Sequence, residues 1–103
     1  MCGIAGIFSN RQSYVLNHEV KNMIQAMTHR GPDDQGTWST DNLVFGHLRL
    51  AIQDLSSKGK QPMPSASGRY VISYNGEVYN FIQLKEELSK LGQTFKGGSD
   101  TEV

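Results

Sequence analysis

The stretch Met1-Cys2-Gly3-Ile4-Ala5-Gly6-Ile7-Phe8 decides how the rest of the chain is read. From Gly3 to Ser9 the pattern is a short buried strand, apolar, partly β-branched and interrupted by two glycines. Glycine inside a strand marks close approach by another backbone or by a ligand. Ahead of this strand stands Cys2, the single cysteine of the chain. Removal of Met1 would make Cys2 the N-terminus, with a thiol and a free α-amine on one residue. The ordinary pKa values of these two groups, about 8.5 and about 7.7–8.0, lie near neutral pH, where proton-transfer catalysts work best. N-terminal nucleophiles that use their own amine as base are an established solution to acyl transfer. Taken alone, a lone Cys near a terminus is more often a small buried hydrophobe, so the decision rests on the residues downstream.

The 103 residues suit one small domain, residues 1–103, and 37% hydrophobic content allows a modest core. Ten Lys and Arg balance ten Asp and Glu, so no basic stripe points to nucleic acid and no acidic tail to a disordered arm. One cysteine excludes an internal disulfide framework. The run Ile4 to Phe8 is too short for a membrane span and lacks a basic leader. His18, His29 and His47 lack zinc-type spacing, so no metal is expected. These features point to a soluble cytoplasmic protein with a reduced thiol.

Beyond the first strand, Asn17 is a candidate cap for a helix reaching about His29, with Val20, Met23, Ile24 and Met27 on one apolar face. Arg30-Gly31-Pro32-Asp33-Asp34 breaks it. Strands are expected over 36–40 and 43–52, joined at Asp41-Asn42, then a loop over 56–68 and a strand over 70–74 ending in the turn signal Asn75-Gly76. A second helix is expected over 80–91, with Phe81, Leu84, Leu88 and Leu91 in its stripe and Gly92 at C′, then a short strand over 94–96. Ser99-Asp100-Thr101-Glu102 fits a capping box, and a cap with no helix behind it reads as the sign of a fragment. The local pattern is α+β.

Four separated segments place polar groups beside glycines: Cys2-Gly3, Arg30-Gly31-Pro32-Asp33, Tyr74-Asn75-Gly76-Glu77 and Gly97-Gly98-Ser99-Asp100. Each has a plain structural reading as a turn, a loop or a cap. Arg49, on an alternating strand, would ordinarily face solvent. Neither a Walker A pattern nor Gly-x-Gly-x-x-Gly is present, which removes the case for nucleotide binding.

Taken together, MCGIAGIF at 1–8, HRGPDDQG at 29–36, HLRLAIQDL at 47–55, QPM at 61–63, YNGEVYN at 74–80 and GGSDTEV at 97–103 resemble the glutamine amidotransferase domain of class II, the N-terminal nucleophile type. Within that class the chain is most similar to the glutaminase half of glutamine-hydrolysing asparagine synthetase. The segments occur in the family's order and run from end to end. The Pro-Asp after His-Arg-Gly and the Glu after Asn-Gly resemble the asparagine synthetase branch.

This resemblance implies a four-layer sandwich of two antiparallel sheets between helices, here truncated, with Cys2 at the end of a central strand. It implies glutamine hydrolysis to glutamate and ammonia through a Cys2 thioester, with Asn75 and Gly76 as the oxyanion hole. Arg49 would meet the substrate α-carboxylate and Asp100 its α-ammonium, with Ile52, Gln53 and Glu77 completing the pocket. No cofactor is implied for this chain. ATP and Mg belong to a missing synthetase domain, the implied partner, which would amidate aspartate with the ammonia. A homodimer of the full-length protein is compatible with the family. Leu48 falls at a position that varies in relatives, so it is expected not to matter. Gln53 replaces an apolar residue and is expected to point out of its strand. The alternatives are another ammonia acceptor, such as a sugar acid in polysaccharide synthesis, or a non-catalytic fragment that binds glutamine.

Overall fold

The computed structural model describes residues 1–103. Its first sheet has three antiparallel strands in the order β1 (Gly3–Phe8), β3 (Leu43–Arg49), β2 (Asp34–Ser39). The register pairs Gly3 with Leu48 and Ile7 with Val44 on one side, and Asp34 with Arg49 on the other. β1 is therefore an edge strand and β3 is central, which corrects the expectation that Cys2 ends a central strand. Two ladders flank β3, while β1 has only one.

Period-two alternation divides this sheet into two faces. Val44 and Leu48 turn towards α1 (Ser13–Ala26), which supplies Leu16, Val20 and Ile24 to the core. Gly46 is what lets the helix settle, since a Cβ there would stand 2.7 Å from both Ile24 Cγ2 and Val20 Cγ1. The helix begins four residues before the expected cap. Gln12 is the N-cap, and Asn17 lies inside the helix, donating to the Ser13 carbonyl at 2.9 Å. Its buried stripe is Leu16, Val20, Ile24, and Met23 stays 44% exposed. Leu48 is also corrected: at 2% exposure it is core, against the Gly3 backbone.

The other face is covered in part by a two-stranded ribbon, β4 (Met63–Pro64) with β5 (Val71–Ile72), so a strand lies inside the stretch expected as loop. Beyond it stands α2 (Phe81–Lys90), ended by Gly92 at φ 89°. Gln93 N–H donates to Leu88 and Gly92 N–H to Ser89, which completes a Schellman stop. The α2 stripe buries no residue fully, and Leu91 is 77% exposed. The result is α+β with two antiparallel sheets and two helices. Residues 94–96 form no strand, and Asn75-Gly76 is a bend rather than a hairpin. The capping box does not close either. Ser99 precedes a single 3-10 turn, Asp100–Glu102, without capping it. The Glu102 carboxylate instead accepts the Lys96 and Gly97 amides at 2.6 and 2.7 Å.

Candidate active site

The cleft of interest opens where β1 begins and β3 ends, and its volume is about 330 Å³. Antiparallel pairing forces this meeting, because Gly3 opposite Leu48 puts Cys2 beside the residues that leave β3. Cys2 is half-buried, and its Sγ accepts the Leu50 N–H at 3.4 Å. The Cys2 carbonyl accepts Arg30 Nε–H at 3.1 Å. Arg30 reaches it because Gly31 lies directly on β3, where a Cβ would stand 2.5 Å from the Leu48 carbonyl carbon and oxygen. Asp33 then accepts the Ala51 N–H at 2.8 Å, steering the chain out of β3.

Arg49 closes β3 and is buried, not solvent-facing. Its Nη1 donates to the Ser56 carbonyl at 2.8 Å and its Nη2 to the Asp54 carbonyl. Gly59 packs on the guanidinium, leaving no room for a side chain. The loop that wraps Arg49 is tied by the Asp54 carboxylate. Asp54 accepts the Ser56 hydroxyl at 2.6 Å, the Ser56 amide at 2.8 Å and the Gly98 amide at 2.8 Å. The Ser56 hydroxyl first, then the Gly98 and Ser56 amides, hold the Asp54 pKa down at about 2. Ile52 and Gln53 lie in this loop, past the end of β3, and not on a strand as expected.

The opposite wall is Tyr74 to Glu77, with Asn75, Gly76 and Glu77 exposed to the cleft. Asp100 is 8% exposed, and its Oδ2 accepts the Val78 N–H at 2.8 Å. Every residue nominated from the sequence thus borders one cleft: Cys2 and Arg49 from the sheet, Ile52 and Gln53 from the loop, Asn75, Gly76 and Glu77 from the wall, and Asp100 from the last turn. Asp54, Gln61 and His47 were not nominated. Asp54 fell within a quoted segment, and His47 and Gln61 each began one, but none stood next to the glycines that drew attention.

A family model described as a glutamine amidotransferase domain matches residues 1–103. The chain belongs to the glutamine amidotransferase domain family. This amidotransferase domain is 42% identical over 106 residues to glutamine-hydrolyzing asparagine synthetase 1 of Bacillus subtilis (strain 168), covering 100% of the chain and 17% of that relative. It is 38% identical over 104 residues to glutamine-hydrolyzing asparagine synthetase B of Escherichia coli (strain K12), covering 100% of the chain and 18% of that relative. Amidase chry2 of Gibberella zeae is 36% identical over 115 residues, with 100% and 17% covered. The amidotransferase domain therefore spans less than a fifth of the length of these relatives. No helix of it is long and apolar enough to cross a membrane.

Proposed function

We propose that this domain hydrolyses the side-chain amide of L-glutamine to glutamate and ammonia, with Cys2 as nucleophile. The observation that carries the reading is the convergence on one cleft of a thiol, an Asn-Gly wall, a pinned guanidinium and a buried carboxylate. A cleft of this size falls at the lower end of the about 300–1,000 Å³ typical of small-molecule sites.

With Met1 removed, the Cys2 α-amine takes the thiol proton as Sγ attacks the amide carbon. The carbonyl oxygen becomes an oxyanion, received by the Asn75 side chain and the Gly76 N–H. The C–N bond then breaks, and the amine returns the proton to the departing ammonia. Water hydrolyses the thioester, releasing glutamate and the thiol. Arg49 has five N–H donors, of which two are spent on carbonyls, so the remainder can address the α-carboxylate from a fixed plane. Asp100 keeps Oδ1 for the α-ammonium while Oδ2 holds Val78. Glu77 and the loop at Ile52 and Gln53 close the pocket.

The names of the Bacillus and Escherichia relatives, and the small share of each that the chain covers, support the next step. A separate synthetase domain, using ATP and Mg, receives the ammonia and amidates aspartate, in the reducing cytoplasm where a single thiol stays free. A second reading, with another ammonia acceptor, is supported by a relative of similar identity that is named an amidase.

The test is intact-mass analysis after treatment with a diazo-ketone analogue of glutamine. One adduct on Cys2 of protein lacking Met1, absent from Cys2→Ala, is expected. Glutamine turnover by protein that fully retains Met1 would sink the amine-as-base mechanism. Adduct formation that survives Cys2→Ala would sink the nucleophile.

A further inference from the structure

Tyr74 immediately precedes the Asn75-Gly76 pair, and both of its backbone polar groups are held by buried side chains from elsewhere in the chain. His47 on β3 is 0% exposed and donates Nε2–H to the Tyr74 carbonyl at 3.1 Å. Gln61 is 7% exposed, and its Oε1 accepts the Tyr74 N–H at 2.6 Å. The other end of the same amide, Nε2, donates to Thr101 Oγ1 at 3.3 Å, next to Asp100. Gln61 borders the cleft, but both ends of its amide are committed to protein.

His47 carries a penalty that apolar packing would avoid. Its Nδ1 is buried with no partner, and a buried polar atom left unpaired is destabilising. Phe or Leu would fill the site without that penalty. What the imidazole does that they cannot is donate to the Tyr74 carbonyl. The strand also holds the ring rigidly, because His47 pairs with Ile4 on one side and Gly36 on the other. Gly36, in turn, has no room for a side chain against the Gln61 carbonyl. The two braces therefore rest on the same part of the sheet.

We propose that His47 and Gln61 are positioning residues for the Asn75-Gly76 wall, holding the Tyr74 backbone from both sides so that the Asn75 side chain and Gly76 N–H are aimed at one point. The proposal rests on the glutaminase reading above. Gln61 further sets the distance between this wall and the Asp100 turn, so amide carbon and α-ammonium are addressed at a fixed spacing. A misplacement of about 1 Å in such a constellation is enough to lose on the order of a hundredfold in rate.

The experiment compares two ligands on the whole chain and on two variants, His47→Phe and Gln61→Met, with circular dichroism to show that each folds. The γ-aldehyde of glutamate adds to a thiol and places a tetrahedral oxygen at the wall. Glutamate binds without that step. Each variant is expected to lose about 10–100-fold in aldehyde affinity. Glutamate affinity changes by less than about twofold in His47→Phe. In Gln61→Met, whose amide also ties the Asp100 turn, it falls by clearly less than aldehyde affinity. Two variants at separate positions keep the test open if one fails to fold. Unchanged aldehyde affinity, or equal loss of both ligands, overturns the positioning role. Wild-type protein whose aldehyde affinity matches that of Cys2→Ala overturns the glutaminase reading instead, which separates the two failures.

Discussion

Arg49 has the planar fork that a carboxylate needs, and the loop from Asp54 to Gly59 fixes that plane through two carbonyls and one glycine. A Lys at this position has three donors on one nitrogen and no planar fork, so with two carbonyls satisfied it has no paired N–H groups left for a carboxylate. Arg49→Lys is expected to raise the KM for glutamine by about 10–100-fold, the equivalent of about 1.5–3 kcal/mol for hydrogen bonds to a charged group, with a smaller change in kcat. Steady-state ammonia release measures it, and an unchanged KM would exclude Arg49 from binding the α-carboxylate. Asn75→Ala should do the reverse, lowering kcat by about 10²–10³-fold with KM nearly unchanged, as for other lost oxyanion donors. The nominated residues were legible because each sits in a short segment whose order and chemistry the family resemblance supplied. His47, Gln61 and Asp54 were not, for a physical reason. Each acts by hydrogen bonding to a backbone far along the chain, as Asp54 does to Gly98 and His47 to Tyr74. A side chain that grips a distant main chain leaves no periodicity in the sequence, and the Asp54–Ser56 contact, two residues apart, reads only as an ordinary turn.

At the scale of elements, α1 shows how tertiary contact chooses among faces. The pattern of Val20, Met23, Ile24 and Met27 is a real stripe, but Gly46 opens the sheet opposite Val20 and Ile24, and the helix turns to bring Leu16 into the same seam. Leu16→Ala is expected to cost about 2–5 kcal/mol in urea unfolding, as for other buried leucines. Met23→Ala should fall within about 0.5 kcal/mol. Equal losses would mean that the helix is rotated from its described face. Gly31→Ala should be destabilising by at least about 1–3 kcal/mol, because the new methyl meets β3 backbone rather than a movable side chain. The first strand, the β2–β3 hairpin and the stop of α2 were readable from local chemistry, but the expected burial of β1 is corrected: as an edge strand it leaves Ile4 48% and Phe8 74% exposed. Only half of the short ribbon was: Val71–Ile72 lies within the strand expected over 70–74, whereas Met63–Pro64, in the stretch expected as loop, is too brief for alternation to register. The capping box did not form, and both Glu102 carboxylate oxygens are taken by the loop amides of Lys96 and Gly97.

For the molecule as a whole, two groups make stability depend on pH in the same direction. Burial, followed by the Arg49 charge on its own strand, pushes His47 below its ordinary 6.5, against the Tyr74 carbonyl and Asp34 on β2, which favour the charged ring. Asp54 is held at about 2, below its ordinary 3.8. In both cases the unfolded chain binds a proton before the folded one. The contribution is therefore complete above the unfolded value and is lost as pH falls through the folded one. Urea midpoints should decline from about pH 7.5 to about pH 5.5, and His47→Phe should flatten that first step. Equal midpoints in wild type at both values would contradict it. A second, smaller decline belongs to Asp54 below pH 3.8, reduced because the group is exposed and screened. The start of the chain carries one more consequence. Met1 is 72% exposed, and the contacts that secure residue 2 use its own carbonyl and sulfur. An aminopeptidase cutting between Met1 and Cys2 would sever nothing that holds the thiol, so the newly bared amine would emerge beside a sulfur whose place in the cleft does not change.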